Sequence, residues 1–202
     1  MMRILHYVHI LPDAVTLDGV RLSVEGEGQA LLSSLYREFV KDYPKFFKMD
    51  PLARLGLVAT ELLVGGESGR FTPREDRAVL VSSRSGSLCD DRNYQKTIEE
   101  GDYFPSPALF VYTLANIVTG EIAIRNKYEG DTTAYAMADF DAARLVAVVG
   151  DAFEDRVTTS AVCGWLECSD ADRFEAVLLL VAEYAPAGMP FTEENLNRIK
   201  QA

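Results

Sequence analysis

The sequence predicts an α/β fold in a single domain over residues 1–202. Five apolar segments of strand length alternate with longer segments in which apolar residues recur every three to four positions, the period of a helix. Glycine, proline and aspartate stand at the boundaries between these segments. Of the 202 residues, 48% are hydrophobic, which is ample for one core, and no segment has the composition of a linker or a repeat.

The N-terminal part of the chain predicts a strand, a hairpin and a helix. Residues 3–10 have the composition of a strand, and an Asp18-Gly19 pair between alternating apolar residues predicts a hairpin turn. From Gly28 the apolar period changes to that of a helix, which Pro44 ends. The predicted apolar face of this helix consists of Leu31, Leu35 and Phe39.

The next helix has the clearest boundaries in the sequence. Asp50 is suited to the N-cap and Pro51 to the first helical position, and Gly65-Gly66 ends the helix. Arg54 follows Asp50 by one helical turn, so the two side chains are placed to form an ion pair on the helix surface.

A strand and a serine-rich loop follow. Residues 76–83 predict the strand, and the loop Ser82–Ser87 lacks both the lysine of a phosphate-binding loop and the three glycines of a dinucleotide site. We therefore expect a plain turn from strand to helix. The chain then predicts a helix over 90–101 and two helical stretches that end at Ile124 and divide near Gly120.

The last third of the chain predicts three more strands. They cover residues 132–138, 156–167 and 173–184, and a short polar turn joins the last two. A helix over 139–153 separates the first two strands. Thr192 is placed as the N-cap of a terminal helix, with two acidic residues in its first turn.

The charge of the chain limits the partners it can have. Its formal net charge is −11, which argues against nucleic acid or an anionic membrane surface as a partner. No apolar run is long enough to span a membrane, and the N-terminal residues lack the zones of a signal peptide. We expect a cytoplasmic protein with reduced thiols.

The cysteines and histidines predict neither a metal site nor a cofactor site. Cys89, Cys163 and Cys168 form no CxxC pair, so neither a zinc site nor a disulfide framework is expected. His6 and His9 are three positions apart on a predicted strand, which places their side chains on opposite faces. We interpret them as hydrogen-bonded strand histidines rather than a catalytic pair.

Residues 104–133, FPSPALFVYTLANIVTGEIAIRNKYEGDTT, resemble the segment of the β-ketoacyl synthases that precedes the catalytic cysteine. In that thiolase-like family a helix with an Asn-x-x-x-Gly-x-x-Ala pattern lies beneath the active site. Asn116, Gly120 and Ala123 reproduce this pattern. The resemblance extends more weakly from Tyr43 to about Tyr184.

The resemblance also locates the nucleophile position of the family. In the synthases a Gly-Pro pair leads through a strand to Ala-Cys, whereas here Gly130-Asp131 leads to Ala138-Asp139. Asp139 therefore stands at or near the nucleophile position, and no catalytic residue is predicted. We interpret Asp139 as the N-cap of the next helix. The two catalytic histidines of the family belong to a second half that this sequence lacks.

The fold implied by the resemblance is the N-terminal half of a thiolase-like protein. This half is a five-stranded mixed sheet, with four parallel strands, one antiparallel strand and helices on both faces. The Lys-Met-Asp-x-x-x-Arg stretch that contains Asp50 and Arg54 is similar to an early helix of the synthases, where this pair has a scaffold role. Gly130, Asn116 and Gly120 are assigned to the same scaffold.

The implied function is that of a non-catalytic ketosynthase-like subunit. It would be a chain-length-factor-like or stabilising partner in a fatty-acid or polyketide system that uses an acyl carrier protein. The expected partner is an active ketosynthase or a second copy of the chain. An acyl carrier protein is a further possible partner, although the acidity of both proteins argues against a broad contact.

The resemblance also implies a pairing surface. In the family the strand before the nucleophile lies at the sheet edge and adds to the same strand of the partner. Here that strand carries no charge and consists of Thr132, Thr133, Ala134, Tyr135, Ala136 and Met137. Phe110, Tyr112 and Tyr128 belong either to this interface or to the core.

Two other functions stay open from the residues alone. A residual enzyme acting on a thioester would use Asp139, Ser85 or Ser87, but no histidine is placed to activate a serine. A free-standing module that binds an acyl chain or a carrier arm is the second alternative. An apolar tunnel ending near Asp139 would favour the binding module, and a flat face would favour the subunit.

Overall fold

The computed structural model describes residues 1–99 and 101–201. The strands within these ranges are β1 (Arg3–Leu11), β2 (Ala14–Leu17), β3 (Val20–Arg21), β4 (Arg77–Ser83), β5 (Ile98–Glu99), β6 (Asp102–Tyr103), β7 (Thr132–Ala136), β8 (Ser160–Asp170), β9 (Arg173–Ala182) and β10 (Met189–Pro190). The helices are α1 (Gln29–Leu35), α2 (Pro51–Val64), α3 (Leu88–Gln95), α4 (Pro107–Tyr112), α5 (Ile117–Asn126), α6 (Ala142–Ala152) and α7 (Glu193–Gln201).

The main sheet has eight strands, so the expected number of five was wrong. Its order is β3-β2-β1-β9-β8-β4-β7, and β10 also pairs with β1. The five long strands are those that the sequence predicts. The predicted hairpin forms β2 and β3, of which β2 pairs with β1 and β3 with β2, and the two-residue strand β10 also pairs with β1. These pairings add three short strands to the five long ones, and a short apolar pattern does not encode them.

The directions of the five long strands agree with the expected mixed sheet. Strands β7 and β8 both run parallel to β4, and β9 is antiparallel to β8 and to β1. Hence β1, β4, β7 and β8 share one direction and β9 opposes them. The carboxyl ends of the four parallel strands therefore lie at the same edge of the sheet, which is called the carboxyl edge below.

Helices cover both faces of the sheet, as expected. On one face α1, α2 and α5 enclose the larger apolar cluster, and on the other face α6 and α7 enclose a smaller one. Residues along β8 alternate between the two clusters, with Val162 and Leu166 on the first and Cys163 and Trp165 on the second. Twelve of the fourteen residues of α2 are buried, so this helix forms the centre of the larger cluster.

Two predicted helix boundaries were wrong. Helix α3 ends at Gln95, and β5 and β6 form a separate two-stranded hairpin where a helix was expected to continue to residue 101. Gly101 in this hairpin has a φ of +92°, which only glycine adopts readily, and Glu100 lies outside the described residues. The division between α4 and α5 lies at residues 113–116, and Gly120 is inside α5.

The predicted apolar face of the first helix is correct for Leu31 and Leu35 but wrong for Phe39. The chain passes from α1 into a π-helical turn at Tyr36–Val40, whose wider period rotates the following residues away from the core. Phe39 is therefore 38% exposed, while Leu31 and Leu35 are buried.

The N-cap predicted for α2 is confirmed. The Asp50 carboxylate accepts hydrogen bonds from the backbone N–H groups of Leu52, at 3.2 Å, and Ala53, at 3.1 Å. The predicted ion pair with Arg54 was wrong, because the Arg54 guanidinium donates instead to the carbonyl oxygens of Phe46, at 3.2 Å, and Phe47, at 2.9 Å. Arg54 thereby holds the 3-10 turn Pro44–Lys48 against the start of α2.

Asp50 gives the fold a specific pH dependence. Burial raises the pKa of its carboxyl from 3.8 to about 6, in spite of the two capping hydrogen bonds. A raised folded-state pKa means that protonation favours the native state. This contribution is present below the unfolded-state pKa and is lost as the pH rises through the folded-state value.

We therefore expect the Asp50→Asn variant to have a flatter pH profile of stability than the wild type. Asparagine caps a helix as well as aspartate but does not titrate. The free energy of unfolding of the wild type, relative to the variant, should fall by about 2 kcal/mol between about pH 4 and about pH 7. Urea denaturation across this range measures it, and parallel profiles of the two proteins would contradict the raised pKa.

Candidate functional site

The candidate site lies at the carboxyl edge, where β4 and β7 end beside one another and β8 continues past them to Asp170. Two loops start there, residues 84–87 before α3 and residues 137–141 before α6. Crevices outside the carboxyl ends of parallel strands are common ligand sites in α/β sheets. Asp139, the position that the resemblance assigns to the nucleophile, lies in the second of these loops.

Glu167 near the end of β8 fixes the loop after β4. One carboxylate oxygen of Glu167 accepts hydrogen bonds from the backbone N–H groups of Arg84, at 2.8 Å, and Ser85, at 3.1 Å. It also accepts one from the Ser83 hydroxyl, at 3.1 Å. The Ser83 hydroxyl in turn accepts from the backbone N–H of Gly86, at 2.9 Å. Three donors on one carboxylate oxygen define the shape of this loop.

An apolar cavity of about 240 Å³ lies on the α2 side of the loop. Its apolar walls consist of Leu52, Val81, Ala115, Val118, Ala134 and Leu166. Its rim consists of residues 83–87 together with Tyr135 and Ala136. The cavity thus lies between α2, the start of α5 and the strand pair β4–β7, and its walls suit an apolar ligand or side chain.

A second, more open cavity of about 460 Å³ lies on the α6 side of the same loop and is called the polar depression. It is lined by Arg84, Asp139, Phe140, Trp165, Glu167, Glu175, Asn197 and Lys200. Glu175 accepts hydrogen bonds from His9 Nε2, at 2.9 Å, and from Lys200 Nζ, at 2.7 Å. Burial acts to raise the pKa of Glu175, but these two hydrogen bonds outweigh it and hold the pKa below its ordinary value.

Asp139 is not the N-cap of α6, so that interpretation was wrong. The cap is Asp141, whose carboxylate accepts from the backbone N–H of Arg144 at 2.9 Å. Strand β7 ends at Ala136 and the helix begins only at Ala142, which places the cap two residues later than the sequence count. The Asp139 carboxylate is exposed and pairs with the guanidinium of Arg84, which also donates to the carbonyl oxygen of Ala138.

The two histidines lie on different faces of β1 and have different partners, as expected. His6 Nδ1 is 2.7 Å from an Asp18 carboxylate oxygen in the hairpin turn, and His9 bonds to Glu175. Of the predicted reactive serines, Ser87 donates to the carbonyl oxygen of Thr113 at 2.8 Å. Neither histidine is hydrogen-bonded to a serine.

The cysteines are placed away from both cavities. Cys163 and Cys168 are buried in β8, where burial raises the pKa of both thiols, and Cys89 is half-buried on α3. None of the three is among the residues that line the apolar cavity or the polar depression. Within residues 1–99 and 101–201, no group of three His, Cys, Asp or Glu side chains is arranged to hold a metal ion.

Of the family-motif residues, Asn116, Gly120 and Ala123 lie at or in α5, and Gly130 lies before β7. Asn116 stands at the N-terminus of α5, where its carbonyl oxygen accepts from the backbone N–H of Gly120 at 3.3 Å. Ala123 is buried against the larger cluster. A Cβ at Gly130 would lie 2.5 Å from the carbonyl oxygen of Arg77, so only glycine permits the approach of this segment to β4.

Strand β7 lies at the edge of the sheet, and in the part of the chain that is described it pairs only with β4. The carbonyl oxygen of Asp131 accepts from Val79, and the N–H of Met137 donates to Ser83. In a parallel strand pair, every second residue of a strand forms backbone hydrogen bonds to the neighbouring strand. The odd-numbered residues of β7 therefore bond to β4. The backbone N–H and C=O groups of Thr132, Ala134 and Ala136 therefore point away from the sheet.

The side chains near this edge divide between core and surface. Met137, Tyr112 and Tyr128 are buried, so they belong to the core rather than to an exposed face. Phe110 is exposed and forms part of an apolar patch on the segment from β6 to α4. The patch consists of Tyr103, Phe104, Phe110, Val111 and Leu114, all between 46% and 78% exposed.

Solved structures with this fold are ketosynthases and chain length factors. A chain of the ishigamide ketosynthase/chain length factor matches with a TM-score of 0.65 and 18% identity over 94% of this chain and 64% of that chain. A chain from the complex of the ketosynthase ApeO with its chain length factor ApeC, from Xenorhabdus doucetiae, matches with a TM-score of 0.59 and 14% identity over 99% of this chain and 90% of that chain.

A third match comes from AntDE:AntF, a type II polyketide synthase acyl carrier protein in complex with its ketosynthase. Its TM-score is 0.59 and its identity 10%, over 91% of this chain and 62% of that chain. This chain therefore spans less than two thirds of the first and third of these structures. No family model and no curated protein matches the sequence.

These likenesses show that the chain has a fold similar to that of the ketosynthases. They agree with the fold that the motif at 104–133 implied. Across the described ranges, no helix combines the length and the apolar character needed to cross a membrane.

Sequence reasoning missed Arg84 and Glu167, which shape the site. A glutamate near the end of an otherwise apolar strand is a usable signal, because a partly buried carboxylate requires donors. The sequence does not reveal that the donors come from a loop more than eighty residues earlier. Arg84 carries no comparable signal, since an arginine in a serine-rich loop reads as a surface residue.

The corrected cap predicts different effects for two neighbouring aspartates. Asp141→Ala should lower the free energy of unfolding by about 1 kcal/mol, because it removes a helix cap. Asp139→Ala should change it by less than about 0.5 kcal/mol, because exposed ion pairs contribute little. Urea denaturation of both variants decides this, and a larger loss for Asp139→Ala would restore the original interpretation.

The role of Glu167 predicts a local change that hydrogen exchange detects. Glu167→Ala leaves the N–H groups of Arg84 and Ser85 without their acceptor and should cost about 2 kcal/mol. Both amides should then lose protection against exchange. Glu167→Gln keeps an acceptor oxygen of the same shape and should retain most of the protection. Equal exchange in all three proteins would show that Glu167 does not hold the loop.

Proposed function

We propose that this protein is a non-catalytic ketosynthase-like subunit that associates with an active ketosynthase. The observation that carries the proposal is the uncharged edge strand β7, whose outward backbone groups are free to add a further strand. The chain corresponds, in this proposal, to the N-terminal half of a condensing enzyme. Its expected partner is a ketosynthase, the kind of protein that the matched complexes contain.

The residues at the nucleophile position support a role without catalysis. Asp139 is exposed and pairs with Arg84, and a carboxylate at this place forms at best a labile anhydride with an acyl group. No cysteine lines either cavity at the carboxyl edge of the described residues. A chain of nearly the same length, 90% of which is covered, occurs in a ketosynthase and chain length factor complex.

The proposed interface combines β7 with the apolar patch. Ala134, Tyr135 and Ala136 of β7 line the apolar cavity, and the patch ends at Leu114, the residue before the cavity-lining Ala115. Exposed apolar surface of this extent typically marks a contact with another protein. A partner added at β7 would therefore cover the cavity, which supports a tunnel-shaping role like that of a chain length factor over a purely stabilising one.

A contact with an acyl carrier protein is supported by a basic surface at residues 37–48. Residues 37–48 contain four cations, Arg37, Lys41, Lys45 and Lys48, and two anions, Glu38 and Asp42, beside the exposed Phe47. Lys45 Nζ pairs with Glu121 at 2.7 Å, so the excess positive charge of this segment rests on Arg37, Lys41 and Lys48. Lys41 has a φ of +66° in a γ-turn closed by a 2.8 Å hydrogen bond from Asp42 to Val40. This conformation is rare and strained, and such strain is concentrated at functional sites. The net negative charge of the whole chain disfavours a broad contact with an acidic acyl carrier protein. That expectation does not apply to the segment 37–48.

The edge-strand proposal is tested with Ala134→Pro. Proline removes an N–H that points away from the sheet, so it should leave the fold intact but weaken association at least about tenfold. Ala134→Ser is the matched control, because it keeps the N–H. The variants are co-expressed with ketosynthases of the same genome, beginning with gene neighbours, and complexes are measured by affinity capture and light scattering.

The same experiment distinguishes the proposed subunit from the alternatives. A heterodimer, or a homodimer formed by the chain alone, that is weakened by Ala134→Pro and unaffected by Ala134→Ser supports the proposal. A wild-type monomer at high concentration that captures no ketosynthase would contradict it. The apolar cavity would then favour the second candidate, a free-standing module that binds an acyl chain.

A further inference from the structure

The apolar cavity and the polar depression share one wall. Arg84 is the residue that lines both. On one side of the wall Ser83 and Ala136 line the apolar cavity, and on the other side Glu167 and Asp139 line the polar depression. Ser83 is hydrogen-bonded to Glu167, and Asp139 follows Ala136 by three residues. The two cavities therefore lie on opposite sides of the same loop contact.

One part of this wall is held firmly and another part is held weakly. The backbone of residues 83–85 is fixed by the three hydrogen bonds to Glu167. The Arg84 side chain contacts Asp139 and the carbonyl oxygen of Ala138, and Arg84 lines both cavities. The side chains of Arg84 and Asp139 are 58% and 77% exposed, so water screens their attraction. The side chain of Arg84 can therefore move while its backbone stays in place.

We propose that the Arg84–Asp139 pair is a gate that limits the length of a linear apolar ligand in the apolar cavity. With the pair formed, a chain ends at the guanidinium of Arg84. With the pair broken, the chain continues into the polar depression, where Phe140 and Trp165 contribute apolar surface. This inference rests on the proposed role of the cavity as an acyl site. It assigns to Asp139 a role in specificity in place of a catalytic one.

The gate is tested with straight-chain 1-alkanols from hexanol to dodecanol. Alkanols carry no charge, so loss of the Arg84 cation does not remove a partner for the head group. Each methylene that enters apolar surroundings should tighten binding about fourfold. Isothermal titration calorimetry of the wild type should show this gain up to a limiting length and no gain beyond it.

Arg84→Ala should move the limiting length to a longer alkanol, with short alkanols bound as in the wild type. Asp139→Ala is a second variant that releases the guanidinium without removing it, and it should move the limit in the same direction. Arg84→Lys, which keeps a cation within reach of Asp139, should restore the shorter limit. Arg144→Ala is the matched control, because Arg144 is an exposed residue of α6 and lines neither cavity.

Three results would overturn the gate. They are the same limiting length in the wild type and both alanine variants, a wild-type affinity that rises through the whole series, and no alkanol binding at all. Complex formation with a ketosynthase is measured separately and does not depend on Arg84, which is not in β7. Failure of the gate with an intact heterodimer therefore leaves the proposed function standing.

Discussion

The carboxylate of Glu167 is the interaction on which the candidate site depends. It lies near the end of β8 and receives two backbone N–H groups and one hydroxyl from residues 83–85, so it joins β8 to the loop that follows β4. That loop is at once the rim of the apolar cavity, the wall of the polar depression and the approach to α3. A partly buried charge is costly unless donors surround it, and here the donors are the loop itself.

Local signals in the sequence were sufficient for much of the fold. The five long strands, the Asp18-Gly19 turn and the Asp50-Pro51 helix start each depend on neighbouring residues, and the structure has all of them. Features that depend on distant residues were missed. The pairing of β10 with β1 is set by backbone groups almost two hundred residues apart, and the exposure of Phe39 results from a π-helical turn that no residue type specifies.

The surroundings of Asp139 could be predicted only in part. The sequence placed Asp139 between a strand and a helix, and the structure places it after β7, beside both the loop after β4 and the start of α6. Its role was misjudged because a count along the sequence cannot resolve which of two aspartates caps a helix. Its partner, Arg84, comes from another strand end. The sheet brings the two together, and only the order of strands reveals this.

The depth at which α2 is buried has a consequence for the evolution of this chain. Twelve of its fourteen residues are enclosed, mostly by aliphatic side chains, and such a core accepts exchanges among leucine, isoleucine, valine and methionine as long as total volume is kept. Substitutions of this kind erase sequence similarity while the architecture persists. The structural matches, at 10–18% identity over more than nine tenths of the chain, show that this fold is compatible with very different residues at most positions. In this chain the volume and apolar character of the α2 core constrain the sequence more than the identity of any single core residue does.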